Sequence, residues 1–131
     1  MKRIHRISAL ACEPDQLESC AFVPLGADLS LNPIEMGALY FTDRCMSVGT
    51  WEATPYSEIL EMRGACEYAI ILSGAFTITD SNGVRYEFAS GDSYVLTDGF
   101  VGRFEVTRTM RKTYVLIEGG KQSDVGSVII A

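Results

Sequence analysis

The side chains of this chain best placed to do chemistry are Glu61, Arg63 and Glu67. They share the parity of an extended strand, so they line one face provided that Gly64 and Ala65 introduce no bulge, and Cys66 then points away. A guanidinium between two carboxylates can hold a small zwitterionic or carboxylate-bearing molecule, the arginine taking the anion and the carboxylates an amine. The same charges have a plainer use: they can pair with one another, or Glu61 and Arg63 can lie in a solvated loop. What the chain lacks closes off other chemistries. Its single histidine, His5, lies near the N-terminus and far in sequence from these residues, so no Ser-His-Asp or Cys-His arrangement is expected. No glycine loop of the phosphate-cradling kind occurs either, and hydrolase and nucleotide readings fall away.

Composition narrows the partners. At 131 residues the chain is one domain, long enough to bury roughly two-thirds of its unfolded surface. With 47% hydrophobic and 21% charged residues it is not disordered. A formal charge of -6 and a pI near 4.7 argue against a phosphate-backbone partner, and lysine and arginine form no stripe, so nucleic acid is not expected. The apolar part that follows Lys2 and Arg3 is shorter than a signal h-region of about 7–15 residues and is interrupted by His5, Arg6 and Ser8. No run approaches the roughly 18 apolar residues of a membrane span. These features predict a cytoplasmic protein with no membrane contact. Cys12, Cys20, Cys45 and Cys66 form no CxxC pair and read as reduced, mostly buried thiols.

The elements that must position these residues are short strands. Phe76 and Ile78 alternate with Thr77 and Thr79, and Val84, Tyr86 and Phe88 alternate with Arg85 and Glu87. The Asn82-Gly83 link between them predicts a hairpin with a type I′ turn, in which both residues take positive φ. Gly91-Asp92 and Asp98-Gly99 mark further turns. Residues 67–72 form a nearly continuous apolar run, the pattern of a strand covered on both faces. Strands are also expected at 2–8 on an edge, at 45–53, 93–96, 101–106 and 113–117, and at 125–130 on a second edge. Residues 13–18 predict one helical turn with proline in its first turn, and 20–33 an arm crossing the surface of the main body. Many short, evenly spaced strands with almost no helix imply a sandwich or small barrel.

Glu67, six residues and then Gly74, followed by Gly91-Asp92, with five residues between Gly91 and Thr97, and then Gly99, resembles the two motifs of the cupin superfamily. The flanks Gly49-Thr50-Trp51-Glu52-Ala53-Thr54-Pro55 and Arg111-Lys112-Thr113-Tyr114 are similar to small single-domain cupins grouped with the cupin domain of (S)-ureidoglycine aminohydrolase. The resemblance covers residues 45–118. It implies an all-β, single cupin barrel, a jelly-roll-like double-stranded β-helix. One domain is expected in all: a strand and arm over 1–44, the barrel core over 45–118 and an edge strand over 119–131. Homodimerisation through shared edge strands is implied as well.

The resemblance also says what the barrel should hold. Metal-binding cupins supply three histidines and a glutamate, a set suited to iron, manganese or zinc. Here the histidine positions fall on Glu61, Arg63 and Gly102, and Glu67 alone remains. No metal or other cofactor is expected, because Arg63 puts a fixed positive charge where the cation should sit. Trp51 and Lys112 join Glu61, Arg63 and Glu67 in the family pattern as ligand-binding residues. The favoured role is a barrel that binds a small polar metabolite without a histidine-held metal. One alternative is an acid/base or metal-assisted enzyme of nitrogen or amino-acid metabolism, with Glu67 as general base and Lys112 or Arg63 holding an anionic intermediate. Another is a dimeric accessory protein acting through its surface.

Overall fold

A computed structural model describes residues 2–7, 17–23, 27–28 and 30–119. The strands are β1 (Glu18–Ser19), β2 (Glu35–Thr42), β3 (Met46–Ala53), β4 (Tyr56–Glu61), β5 (Ala65–Asp80), β6 (Arg85–Ala89), β7 (Ser93–Leu96) and β8 (Val101–Glu118). All pairings are antiparallel, and among the described residues there is no helix.

Two long strands, β5 and β8, organise the rest. They pair along their whole length, from Ala65 opposite Glu118 to Asp80 opposite Gly102, with register shifts clustered between Ile71 and Phe76. On one side of those shifts β5 also pairs with β7 and β8 with β3, which carries β2 and β1 beyond it. On the other side β5 pairs with β6 and β8 with β4. One hydrogen-bonded sheet thus folds over at a corner into the two layers of a jelly-roll barrel. Gly74 makes the corner. Its φ is 84°, and a Cβ there would lie 2.0 Å from the Thr109 carbonyl oxygen, so no other residue fits without moving β8.

The core fills the space between the layers. Ala69, Ile71, Phe76 and Ile78 of β5 meet Phe104, Val106 and Met110 of β8, with Trp51 and Ala53 from β3 and Tyr56 from β4. Phe76 is the hub: its ring stacks on Phe88 and Phe104 with centroids 4.9 and 5.0 Å away, and meets the edge of Tyr94 at 5.7 Å. Each such buried ring contributes roughly 1.5–3 kcal/mol through area alone.

The structure departs from the sequence-based expectations at several points. Residues 2–7 make no strand pairing. Residues 13–16 lie outside the described residues, and Glu18, expected in a helical turn, begins β1 instead. The hairpin after β5 is not type I′: Gly83 has φ 84°, but Asn82 is not among the residues with positive φ. The Gly83 amide bonds back to the Asp80 carbonyl at 3.0 Å, while the Asp80 carboxylate accepts from the Asn82 and Val84 amides, each at 2.9 Å. That side chain stabilises a longer loop with a single left-handed residue. The apolar run at 67–72 is covered on one face only, since Tyr68 and Ile70 are 46% and 37% exposed. The strands expected at 101–106 and 113–117 are the two ends of β8, and the edge strand expected at 125–130 lies outside the described residues.

Gly74 and Gly91 both have positive φ, but only Gly74 is crowded. Gly91→Ala is expected to cost about 1 kcal/mol, the strain of a left-handed residue alone. Gly74→Ala should cost ~3 kcal/mol or more, because overpacking adds to that strain. Urea denaturation of the two variants measures the difference.

Candidate functional site

The face that β4 turns into the barrel sets the upper wall of the site. Tyr56, Glu58 and Leu60 stand opposite Val106, Phe104 and Gly102, the buried positions of β8. Ile59, one residue out of phase, is 66% exposed. Between β4 and β5 the chain passes Gly64 at φ 65°, whose amide is held by the Asp98 carboxylate at 2.8 Å. This left-handed residue switches the parity. Even-numbered residues face inward before it and odd-numbered ones after it as far as Ile71, so Glu58 and Glu67 enter the barrel while Glu61 points out. The single charged face expected of Glu61, Arg63 and Glu67 is therefore not assembled. Arg63, with its side chain 82% exposed, pairs with Glu61 at 2.7 Å on the cavity rim, the plainer use of those charges.

Three strands bring the floor together. Glu67 on β5 lies opposite Leu96 and Leu116, Tyr94 on β7 opposite Ala69, and Lys112 on β8 opposite Trp51 and Ile71. The Lys112 ammonium donates to Glu67 Oε2 and to the Tyr94 hydroxyl, both at 2.7 Å, and the Tyr94 hydroxyl donates to Glu67 Oε1 at 3.1 Å. Lys112 and Glu67 are each 8% exposed. The rings of Trp51, Phe104 and Tyr94 surround Nζ at 5.2, 5.4 and 5.5 Å, in cation–π range. Burial disfavours the lysine charge, but the Glu67 carboxylate and Tyr94 outweigh it and hold Lys112 protonated well above the usual lysine range. Burial pushes the Tyr94 phenol up, so it stays neutral.

A buried ion pair loses several kcal/mol of hydration per ion and is weak evidence for stability. Its position gives it another meaning, because Glu67 and Lys112 line a cavity of about 570 Å³ that opens to solvent. The walls are mostly apolar, with Trp51, Leu60, Met62, Phe104 and Leu116 contributing. An ammonium has three donors, and the two bonds within the triad leave one for a guest.

Glu35, on β2, fixes the Trp51 wall. Its Oε1 accepts from the indole Nε1 at 2.9 Å and from the Phe22 amide at 2.9 Å, while Oε2 takes the Val23 amide at 3.0 Å. One carboxylate thus ties the arm, whose Phe22 reaches the cavity, to the aromatic wall. Across that wall the Tyr56 hydroxyl donates to Glu58 Oε2 at 2.5 Å. Burial raises the Glu58 pKa, opposed by the Tyr56 bond and the Lys112 charge.

The donor set does not fit a histidine-held divalent cation. Both Glu67 oxygens are engaged, one by an ammonium, and His5 packs against Phe41 at 4.8 Å. Among the described residues no three His, Cys, Asp or Glu side chains converge. Of the residues read from the sequence, the structure brings together Trp51, Glu67 and Lys112 and leaves Glu61 and Arg63 on the rim. Glu35 and Glu58 are not singled out by the sequence. For Glu58 a signal exists, the alternation Tyr56, Glu58, Leu60, Met62; Glu35 carries none.

Two outcomes test the electrostatics. Lys112→Met or Glu67→Gln should each destabilise the fold by about 3–5 kcal/mol by stranding a buried partner. Replacing Glu67 and Lys112 by Met and Tyr94 by Phe together should recover most of that loss in urea melts. Glu58 has a raised folded pKa, so its proton is held more tightly folded than unfolded. The stabilisation is full below the unfolded carboxylate pKa, about 4.3, and is lost as pH rises through the folded value. Glu58→Gln should therefore raise the Tm at pH 8, with the gain vanishing towards pH 4.

A family model described as the EutQ-like cupin domain matches residues 42–114. No curated protein matches the chain. Among solved structures, it is similar to a protein of unknown function of the DUF861 family from Pseudomonas syringae, with TM-score 0.69 and 22% identity over 76% of this chain, and it spans 43% of that longer one. It is also similar to the Clostridium difficile EutQ protein, with TM-score 0.60 and 18% identity over 72% of this chain and 69% of that one. A third is a putative ethanolamine utilization protein, EutQ, of Salmonella typhimurium, with TM-score 0.57 and 16% identity over 65% of this chain and 70% of that one. These likenesses are of fold. The matched segment runs from the end of β2 into β8, takes in Glu67, Tyr94 and Lys112 and exceeds half the sequence: the chain belongs to the EutQ-like cupin domain family.

Proposed function

We propose that this cupin binds a small polar molecule in its barrel, without a histidine-held metal, through the third N–H of Lys112. The observation that carries this reading is a charged triad, nine-tenths buried in its ionic members, at the floor of an otherwise apolar cavity. Ligand sites of about 300–1,000 Å³ combine apolar walls with a few placed polar groups, and this cavity has that composition. Glu67 and Tyr94 hold the ammonium in one orientation before a guest arrives, which lowers the entropy lost on binding. A carbonyl, hydroxyl or carboxylate oxygen on the guest would accept from Lys112 while its carbon skeleton lies against Trp51 and Phe104. The general-base role considered for Glu67 is less well supported, since both its oxygens already accept hydrogen bonds.

Trp51 is the one tryptophan of the chain and lies in the wall, so its fluorescence reports occupancy directly. A panel of small metabolites screened by thermal shift and Trp51 emission should yield at least one saturable binder. Leu60→Trp, which fills the cavity from β4, should abolish the thermal shift while leaving the fold intact by circular dichroism. Binding that survives cavity filling, or a panel with no saturable member, would overturn the proposal.

A further inference from the structure

We infer that Glu58 is a second recognition residue of the cavity and that the bound molecule is bipolar, with an oxygen acceptor at one end and a cationic amine at the other. The inference rests on the ligand-binding role proposed above and adds the chemical class of the ligand. It begins with charge. Of the ionic groups lining the cavity, Lys112 is neutralised by Glu67, and Arg63 by Glu61 on the solvated rim. Among the described residues Glu58 and the exposed Glu118 form no ion pair, so the cavity favours a positively charged guest.

Geometry places Glu58 inside rather than at the rim. It stands opposite Phe104 in the β4–β8 ladder, and the Phe104 ring lies 5.4 Å from Lys112 Nζ. The two polar poles therefore flank one aromatic wall, on which Tyr56 and Trp51 also lie, with ring centroids 6.3 Å apart. The Tyr56 hydroxyl occupies Glu58 Oε2 and orients the carboxyl, and a guest ammonium would meet the Oε1 side. The charged groups that face Glu58 are Lys112 of β8, Glu35 of β2 and Glu67 of β5, together with the Tyr56 phenol of β4. A guest cation supplies the counter-charge that Glu58 lacks, and its binding should strengthen as pH rises and the carboxyl ionises.

The test uses the intact protein and four matched probe series of two to six carbons: ω-amino acids, ω-hydroxy acids, unsubstituted carboxylic acids and n-alkylamines. Binding is followed by calorimetry and Trp51 emission at pH 5 and pH 8. The wild type should bind an ω-amino acid about tenfold more tightly than the hydroxy acid of equal length, with the preference larger at pH 8. Glu58→Gln should remove that preference and its pH dependence while still binding the hydroxy acid. Tyr56→Phe, which leaves the carboxylate but frees its orientation, should reduce the preference in part. Binding without preference for the amine, or a preference unchanged in Glu58→Gln, overturns the inference and leaves the ligand-binding role standing. No saturable binding by any series defeats both.

Discussion

The fold depends on the corner at which β5 and β8 bend together. Gly74 lets the backbone of one strand sit against Thr109 of the other at a distance no Cβ could share. Because the two strands stay paired through the bend, each donates one half to each layer of the barrel. The other strands build on those halves: β3, with β2 and β1 beyond it, and β7 on one side, β4 and β6 on the other. The aromatic core forms where the layers face each other, with Phe76 and Phe104 brought into stacking contact from the two long strands.

The same corner makes the candidate site. Glu67, Tyr94 and Lys112 come from β5, β7 and β8 on one side of the bend, and Glu58 comes from β4 on the other. The cavity is the space the core leaves between them. Its floor contains an ion pair that an apolar replacement of equal volume could match in stability, so stability alone does not account for it. The surrounding rings lower the local dielectric, which strengthens each hydrogen bond the ammonium makes. Family membership and fold are shared with EutQ-like cupins, but the reading of this cavity rests on the charges this chain places in it.

Residue patterns in the sequence were enough for the architecture. Alternation at Phe76–Thr79, the glycines at 74, 91 and 99, and the spacing between them record constraints that act within a few residues: strand period, turn conformation and the need for positive φ. The gathering of Glu67, Lys112 and Trp51 in one cavity was likewise legible, because the family pattern groups those positions. The type I′ turn was misjudged at Asn82 because a carboxylate two residues earlier stabilises a different loop. Arg63 and Glu61 were placed inside because strand parity was carried across Gly64, where a left-handed residue reverses it.

What only the tertiary structure decided is which side chains meet. Tyr94 reaches the Lys112–Glu67 pair through register between three strands, and Glu35 joins the arm to Trp51 through bonds spanning more than ten residues. Such contacts depend on the global pairing of strands, and no local period encodes them. The sequence by itself determined an all-β cupin barrel with Glu67 inside it. The choice of Glu58 over Glu61 as its companion carboxylate belongs to the fold, because one glycine torsion between β4 and β5 sets which face of β4 looks inward.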